Sequence, residues 1–165
     1  MTTMLKNLLS KQTEAMLNEA VQAELYASHL YKHLANQLQR IGYFGAQKFF
    51  AGESADELKH YQKLADLMND MGSVAKVPML EAITDPVKSL RDALEIGYDT
   101  ELQLGKDYER WFKGCADAPL VQQALLEFLG VQRHSIGEYA DLLTRLDRAG
   151  ANEAAILLID QAMGA

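Results

Sequence analysis

The chain has 165 residues, 48% of them apolar and 24% charged, the size and composition of one globular domain with enough chain to close a hydrophobic core. Lys and Arg number 16 against 23 Asp and Glu, a formal charge of −7 with no basic stripe or tail, which disfavours a dedicated nucleic-acid binder. A single cysteine, Cys115, excludes an intramolecular disulfide framework and any cysteine-rich zinc or iron site, and the longest aliphatic run, Ile156 to Ile159, falls far short of a membrane span.

In chain order, Met1 to Lys6 lacks the sustained apolar stretch and cleavage site of a secretory leader, so a cytoplasmic protein without membrane or nucleic-acid partners is expected. Apolar residues then recur at intervals of three and four, the period of an amphipathic helix. The spacing predicts helices over about 5–38, 44–71, 87–114 and 119–148, and a short fifth over about 152–163. Gly42 and Gly45 mark the first break, Gly72 ends the second helix and Gly150 the fourth. Asp85-Pro86 reads as the start of the third, with Asp as cap and Pro at the first position. Strand-like alternation, internal repeats and low-complexity segments are not visible. An all-α fold in a single domain, 1–165, follows.

The first and third connections are short, so the helices they join should be antiparallel. Residues 73–86 are aperiodic. A helix of the second segment's length is roughly 39 Å long, and such a connection, extended, reaches roughly 46 Å. Helices two and three can therefore run parallel, joined by one long crossover; a loose loop between a helix pair explains the same length.

Each predicted inner stripe is apolar except near its midpoint. The first runs Leu17, Val21, Glu24, Ala27, Tyr31, Leu34, Leu38; the second runs Ala46, Phe49, Glu53, Glu57, His60, Leu64, Leu67, Met71. The third runs Leu90, Leu94, Gly97, Glu101, Leu104, Tyr108, Trp111, and the fourth Val121, Leu125, Phe128, Gln132, Ser135, Tyr139, Leu142, Leu146. In an up-and-down bundle the midpoints share a level, so Glu24, Glu57, His60, Glu101 and Gln132 should converge on one layer. Burying an unpaired carboxylate costs several kcal/mol or keeps it protonated. Three carboxylates with no basic residue on these stripes also repel one another. Bound cations resolve the conflict, and Glu57-x-x-His60 places both side chains on one helix face. Carboxylates with one imidazole suit iron, manganese or zinc. Taken singly, each residue has an ordinary reading: Glu24 as a helix-end or snorkelling residue, Glu57-x-x-His60 as a solvated chance pair, Gln132 and Ser135 as satisfied core polar groups. One interruption in the middle of all four helices is what favours metal. His29, His33 and His134 lack comparable partners and read as surface or local packing residues, and Cys115 as a plain small residue.

These residues resemble the ferritin family, with bacterial non-haem ferritins and bacterioferritins nearest in pattern. Glu24-Leu25-Tyr26-Ala27-Ser28 with Tyr31 resembles the middle of the first ferritin helix, and Glu53-Ser54-Ala55-Asp56-Glu57-Leu58-Lys59-His60 the second. Glu101 stands where the third-helix ligand is expected, Gln132-Arg133-His134-Ser135-Ile136 resembles the fourth-helix motif, and Ala149-Gly150 with Ile159-Asp160 matches the approach to and middle of the fifth helix. The resemblance implies a ferritin-like four-helix bundle with one long crossover and a short C-terminal fifth helix. It implies a ferroxidase centre holding two irons per subunit: Glu24, Glu57 and His60 on the first, Glu57, Glu101 and Gln132 on the second, with Tyr31 hydrogen-bonded nearby and able to supply an electron. Fe(II) would meet dioxygen or hydrogen peroxide there, and ferric mineral would collect inside a homo-oligomeric 24-subunit shell. An apolar patch of Ala155, Leu158, Ile159, Ala162 and Met163 on the fifth helix fits such assembly.

The departures from the pattern are specific. Where bacterioferritins carry a second Glu-x-x-His, this chain has Gln132 and Ser135, so three carboxylates face two Fe(II) and one positive charge stays uncompensated; a loosely held second iron and a transit site are expected. Leu58 replaces the haem-ligating methionine, so no haem is expected. Asp56 remains from a third iron site, but Val131 and His134 stand at its other positions. Lys59 and Gln62 occupy the place of nucleating acids. Glu53 with Asp56 forms an entry or transit pair, or equally a solvated pair, and Gln122, Gln123 and Glu127 lie near the expected three-fold channel. Other readings are a rubrerythrin-like peroxidase or other diiron oxidase, which the missing second Glu-x-x-His and lone cysteine oppose; a dodecameric DNA-protecting relative, for which Lys6 and Lys11 are a poor basic tail; and a metal-free interaction bundle, which leaves the mid-helix carboxylates unexplained.

Overall fold

Local capping chemistry sets where each helix begins. A computed structural model describes residues 6–165, and among them the helices are α1 (Lys11–Arg40), α2 (Phe44–Asp70), α3 (Leu90–Gly114), α4 (Pro119–Ala149) and α5 (Glu153–Met163), with no strand. The expected start of the first helix at residue 5, and most of the leader reading, lie outside the described residues. Residues 6–10 are not helical: Ser10 caps α1 by accepting the Thr13 N–H at 3.1 Å, so the helix begins six residues later than its periodicity implied. The third helix also starts later. Ser89, not Asp85, is the cap, accepting the Asp92 N–H at 3.0 Å, while Asp92 reaches back to the Lys88 N–H; Asp85 and Pro86 remain in the extended crossover.

Gly42, Gly72 and Gly150 carry positive φ at the three helix ends, as their positions required. Gly45 does not mark a break. It lies inside α2, and a Cβ there would sit 1.7 Å from the Asp160 carbonyl oxygen, so its role is to admit α5. Asp160, buried, then accepts the Ala46 N–H at 2.7 Å and the Gly45 N–H at 3.2 Å, capping the N-terminus of α2 from another helix.

Hydrogen bonds fix the directions. Ser28 pairs with Ser54 between α1 and α2, while Glu19 meets Arg110 and Glu24 meets Tyr108 between α1 and α3, so α1 is antiparallel to both neighbours and α2 runs parallel to α3. The connection between α2 and α3 is therefore the long crossover. It climbs along α1: Ser73 donates to Glu14, the Lys76 N–H to Asn18 at 2.8 Å, and the His33 ring to the Asp85 carbonyl at 2.7 Å. His29 likewise bonds the Leu25 carbonyl within its own helix, and Cys115 is buried with its Sγ 3.9 Å from the Met16 Sδ.

Two apolar clusters make the core, one around Tyr31, Leu34, Leu38, Phe50, Leu94 and Tyr139, the other around Leu17, Val21, Leu64, Met68, Trp111 and Phe128. A fully buried side chain of this kind contributes roughly 1.5–3 kcal/mol. The inner stripes of α1, α3 and α4 are those read from the sequence, with Ser135 only half-buried. On α2 the stripe is rotated. Phe50 and Met68 are buried where Phe49, Leu67 and Met71 were expected, because α1 lies against α2 through the Ser28–Ser54 pair and turns that side inward. The α5 patch is also redrawn: Ile159 and Met163 pack on the bundle, and the outward apolar side chains are Leu157 and Leu158. No described helix is long and apolar enough to cross a membrane.

Candidate metal centre

Between the two apolar clusters lies a polar layer. Glu24, Glu57, Glu101 and Gln132 are all at most 3% exposed, one from each of the four bundle helices. Each was placed there by its position on an apolar stripe, since the helix must bury that stripe and cannot exclude one residue from it. The structure brings Glu24, Glu57 and His60 together with ligand atoms within 4.8 Å of one another. His60 Nδ1 is 2.7 Å from Glu57 Oε2 and 3.7 Å from Glu24 Oε2. Glu101 enters the layer from α3, and Gln132 packs opposite Gly105, one turn beyond Glu101.

Two tyrosines complete the layer. Tyr31 donates its hydroxyl to Glu101 Oε1. Tyr108 donates in the same way to Glu24 Oε1, a contact the sequence reading missed by taking Tyr108 as core alone. The signal was present: Tyr31 follows Glu24, and Tyr108 follows Glu101, by the same interval of almost two helical turns. Because α1 and α3 are antiparallel, each phenol is carried over the other helix's carboxylate. No repeat of sequence exists here, only a repeated spacing.

The remaining polar atoms of the layer are left without partners: Glu24 Oε2, Glu101 Oε2 and both amide atoms of Gln132. Buried polar atoms without partners are costly, and all four belong to this layer. Electrostatics states the same conflict. Burial pushes Glu57 up to about 10, with Glu24 and Glu101 adding repulsion against the His60 hydrogen bond. Burial likewise raises Glu101 to about 7, opposed by the Tyr31 hydroxyl. For His60 burial acts downward, but the Glu24 and Glu57 carboxylates override it and raise the imidazole to about 10. The layer thus retains protons that a divalent cation would displace. Its donors, carboxylate oxygens with one imidazole and one amide, fit a first-row divalent metal such as iron.

The accessory candidates are divided. Glu53 is half-buried, accepts the Tyr139 hydroxyl at 3.4 Å, and is raised to about 7 by burial and by neighbouring Glu101, Glu138 and Asp56. Asp56 is at the surface in an ion pair with Lys59 at 2.7 Å. Both line, with Ser135 and His134, a surface cavity of about 380 Å³ that reaches Glu57 and His60 between α2 and α4. Ser135 faces this cavity rather than the buried layer.

A family profile described as a ferritin-like domain matches residues 14–149. A probable bacterial non-heme ferritin-like protein of Haemophilus influenzae is 27% identical over 95% of this chain and 96% of its own length. A ferritin of Pacifastacus leniusculus is 32% identical over 88% of this chain and 83% of its own. Among solved structures, the open pore ferritin of Archaeoglobus fulgidus superposes with a TM-score of 0.91 at 22% identity, covering 94% of this chain and 98% of that one. That likeness establishes a shared fold, the four-helix bundle with a short C-terminal helix.

Proposed function

This chain belongs to the ferritin family, and from that premise we propose that it is an iron-storage subunit with ferroxidase activity. The observation that carries the reading is the set of unpartnered buried oxygens on Glu24 and Glu101 beside the Glu57–His60 pair. Fe(II) is the substrate. Glu24, Glu57 and His60 hold the first ion, and Glu57, Glu101 and Gln132 hold the second. Tyr31 and Tyr108 fix two of the carboxylates, keeping one oxygen of each free to face the metal. On binding, protons held within the layer leave. Dioxygen or hydrogen peroxide accepts the electrons, and Tyr31 is placed to supply one more.

Each ion faces two carboxylates, but the second has only the neutral amide of Gln132 where the first has the imidazole of His60, and Ser135 stands outside the layer, so the second ion is held more loosely and passes through. Iron enters or leaves by the cavity of Glu53, Asp56 and Ser135. The product Fe(III) collects as mineral inside a cytoplasmic, haem-free shell of 24 copies of this chain, each a single domain of residues 1–165, with Leu157 and Leu158 of α5 meeting neighbouring copies. The test is aerobic addition of excess Fe(II) to the metal-free protein, following ferric absorbance against a Glu57→Ala variant and then the co-elution of iron with the shell. Rapid oxidation slowed in the variant, with iron retained, is the expected result. Wild type and variant oxidising iron no faster than buffer would remove the ferroxidase reading.

A further inference from the structure

The layer is connected to the outer surface of the bundle by a chain of aromatic groups on α3 from which the proposed reaction takes no electron. Tyr108 donates its hydroxyl to Glu24, and its ring meets Trp111 edge to face with centroids 5.0 Å apart. The Trp111 indole N–H in turn donates to Glu19 Oε2 at 3.0 Å. Trp111 is only 2% exposed, but Glu19 is at the surface, ion-paired at 2.9 Å with Arg110, whose guanidinium lies 5.3 Å from the indole centroid. Both oxidisable side chains thus have a carboxylate waiting for the proton that an oxidised phenol or indole gives up. The indole N–H and Arg110 hold Glu19 below the ordinary carboxylate range, which keeps that acceptor ionised. Packing alone explains the ring contacts. Burial also requires an acceptor for each polar hydrogen; what the relay uses is that both acceptors are carboxylates, one in the buried layer and the other at the surface. On the other side of the layer, the corresponding route from Tyr31 through Tyr139 ends in a longer contact to Glu53, 3.4 Å.

We propose that Tyr108 and Trp111 form a redox relay that carries one oxidising equivalent from the Glu24 side of the layer to the Glu19–Arg110 surface. The relay rests on the ferroxidase reading. Its occasion is set by the weak second half of the centre: when only one Fe(II) is bound and hydrogen peroxide arrives, the iron supplies one of the two electrons that peroxide takes up. Tyr108 supplies the other and is restored by Trp111, its phenolic proton moving to Glu24 and back. Trp111 ends as a neutral radical with its indole proton passed to Glu19. Overall, one peroxide, one Fe(II), one tryptophan side chain, the Glu19 carboxylate and two protons from solvent give one Fe(III), one tryptophanyl radical, protonated Glu19 and two waters. A further Fe(II) at the surface returns an electron, with a proton, and becomes Fe(III). The two residues act through Glu24 and touch no substrate themselves.

Trp111 is the only tryptophan of the chain, so isotope labelling reports on one site. The experiment adds one Fe(II) per subunit to metal-free wild type anaerobically, mixes with hydrogen peroxide, and freezes the sample for electron paramagnetic resonance. It is repeated with ring-deuterated tryptophan and with the Trp111→Phe and Tyr108→Phe variants, while ferric absorbance is recorded in parallel. The expected result is an organic radical whose hyperfine splitting narrows on tryptophan deuteration, and which is lost in both variants. Iron oxidised at the wild-type rate, slowed by Glu57→Ala, with no radical or with one unchanged by deuteration, would overturn the relay and leave the ferroxidase intact. Iron oxidised no faster than in buffer overturns the ferroxidase reading and the relay with it. Labelled wild type answers the question even if a variant fails to fold.

Discussion

The same substitution, glycine to alanine inside a helix, should have opposite signs at two places in this bundle. A Cβ at Gly97 in α3 would lie 2.3 Å from Tyr139 Cε1, 2.8 Å from Cζ and 3.0 Å from the hydroxyl oxygen. The ring cannot retreat. Tyr139 is fully buried, with Phe49, Phe50 and Tyr31 rings at centroid distances of 5.7, 6.0 and 6.4 Å. Overpacking of this kind costs about 1–3 kcal/mol, and so tight an overlap belongs at the upper end. Alanine returns about 1 kcal/mol through helix propensity. The net loss is about 2 kcal/mol, or a midpoint about 4–8 °C lower for a chain of this size. At Gly52 and Gly130, also helical, nothing lies within 4 Å of the added carbon, so alanine there should raise the midpoint. The assay is thermal unfolding of metal-free protein in one assembly state. Adding Gly97→Ala to a Tyr139→Leu background, where the ring is gone, should cost nothing further. Because Tyr139 stacks on Tyr31, Gly97→Ala should also slow iron oxidation. A Gly97→Ala variant that melts higher, as Gly130→Ala does, would refute the packing argument.

Two further expectations concern the layer itself. Burial lifts Glu101 from 4.5 to about 7, a shift worth on the order of 3 kcal/mol; since the folded value is the higher one, metal-free protein has this stability in full below about pH 4.5 and loses it as pH rises through about 7. Glu101→Gln should therefore flatten the pH profile of the metal-free midpoint and surpass wild type at pH 8, and parallel profiles for the two proteins would count against it. Gln132→Glu should supply the missing negative charge, tighten the second Fe(II) tenfold or more, about 1.4 kcal/mol, and destabilise the metal-free protein. Anaerobic Fe(II) titration followed by gel filtration reads the iron retained, and unchanged retention would show that charge is not what makes the second position weak.

Much of this was legible in residue spacing. The helical period exposed all four bundle helices, and the midpoint interruptions on the stripes of α1, α3 and α4 identified Glu24, Glu101 and Gln132 as buried before any coordinates. The period is blunt about rotation. On α2, Phe49 and Phe50 are equally apolar, and only the Ser28–Ser54 pairing with α1 decides that Phe50 turns inward. Helix starts were misread where a capping serine lay beyond the last apolar residue, as at Ser10 and Ser89. Gly45 looked like a turn because a sequence cannot show that Asp160, far along the chain, requires its missing side chain.

The contact that escaped altogether, Tyr108 on Glu24, explains how the layer is divided. Glu24 with Tyr31 and Glu101 with Tyr108 are interchangeable by position, each phenol holding the opposite carboxylate, so α1 and α3 treat the two halves of the centre alike. The halves differ only across α2 and α4, where Glu57 and His60 face Gln132 and Ser135. A matched frame with unmatched ligands is what a site needs if one ion is to be held while the other passes. The frame leaves one unpartnered oxygen on each of Glu24 and Glu101, and on the proposed reading the neutral amide of Gln132 is what makes one ion leave first. On the same reading, that asymmetry would create the state in which a single Fe(II) meets an oxidant wanting two electrons. It is on the Glu24 half, the half with the imidazole, that Tyr108 and Trp111 reach from the layer to the surface.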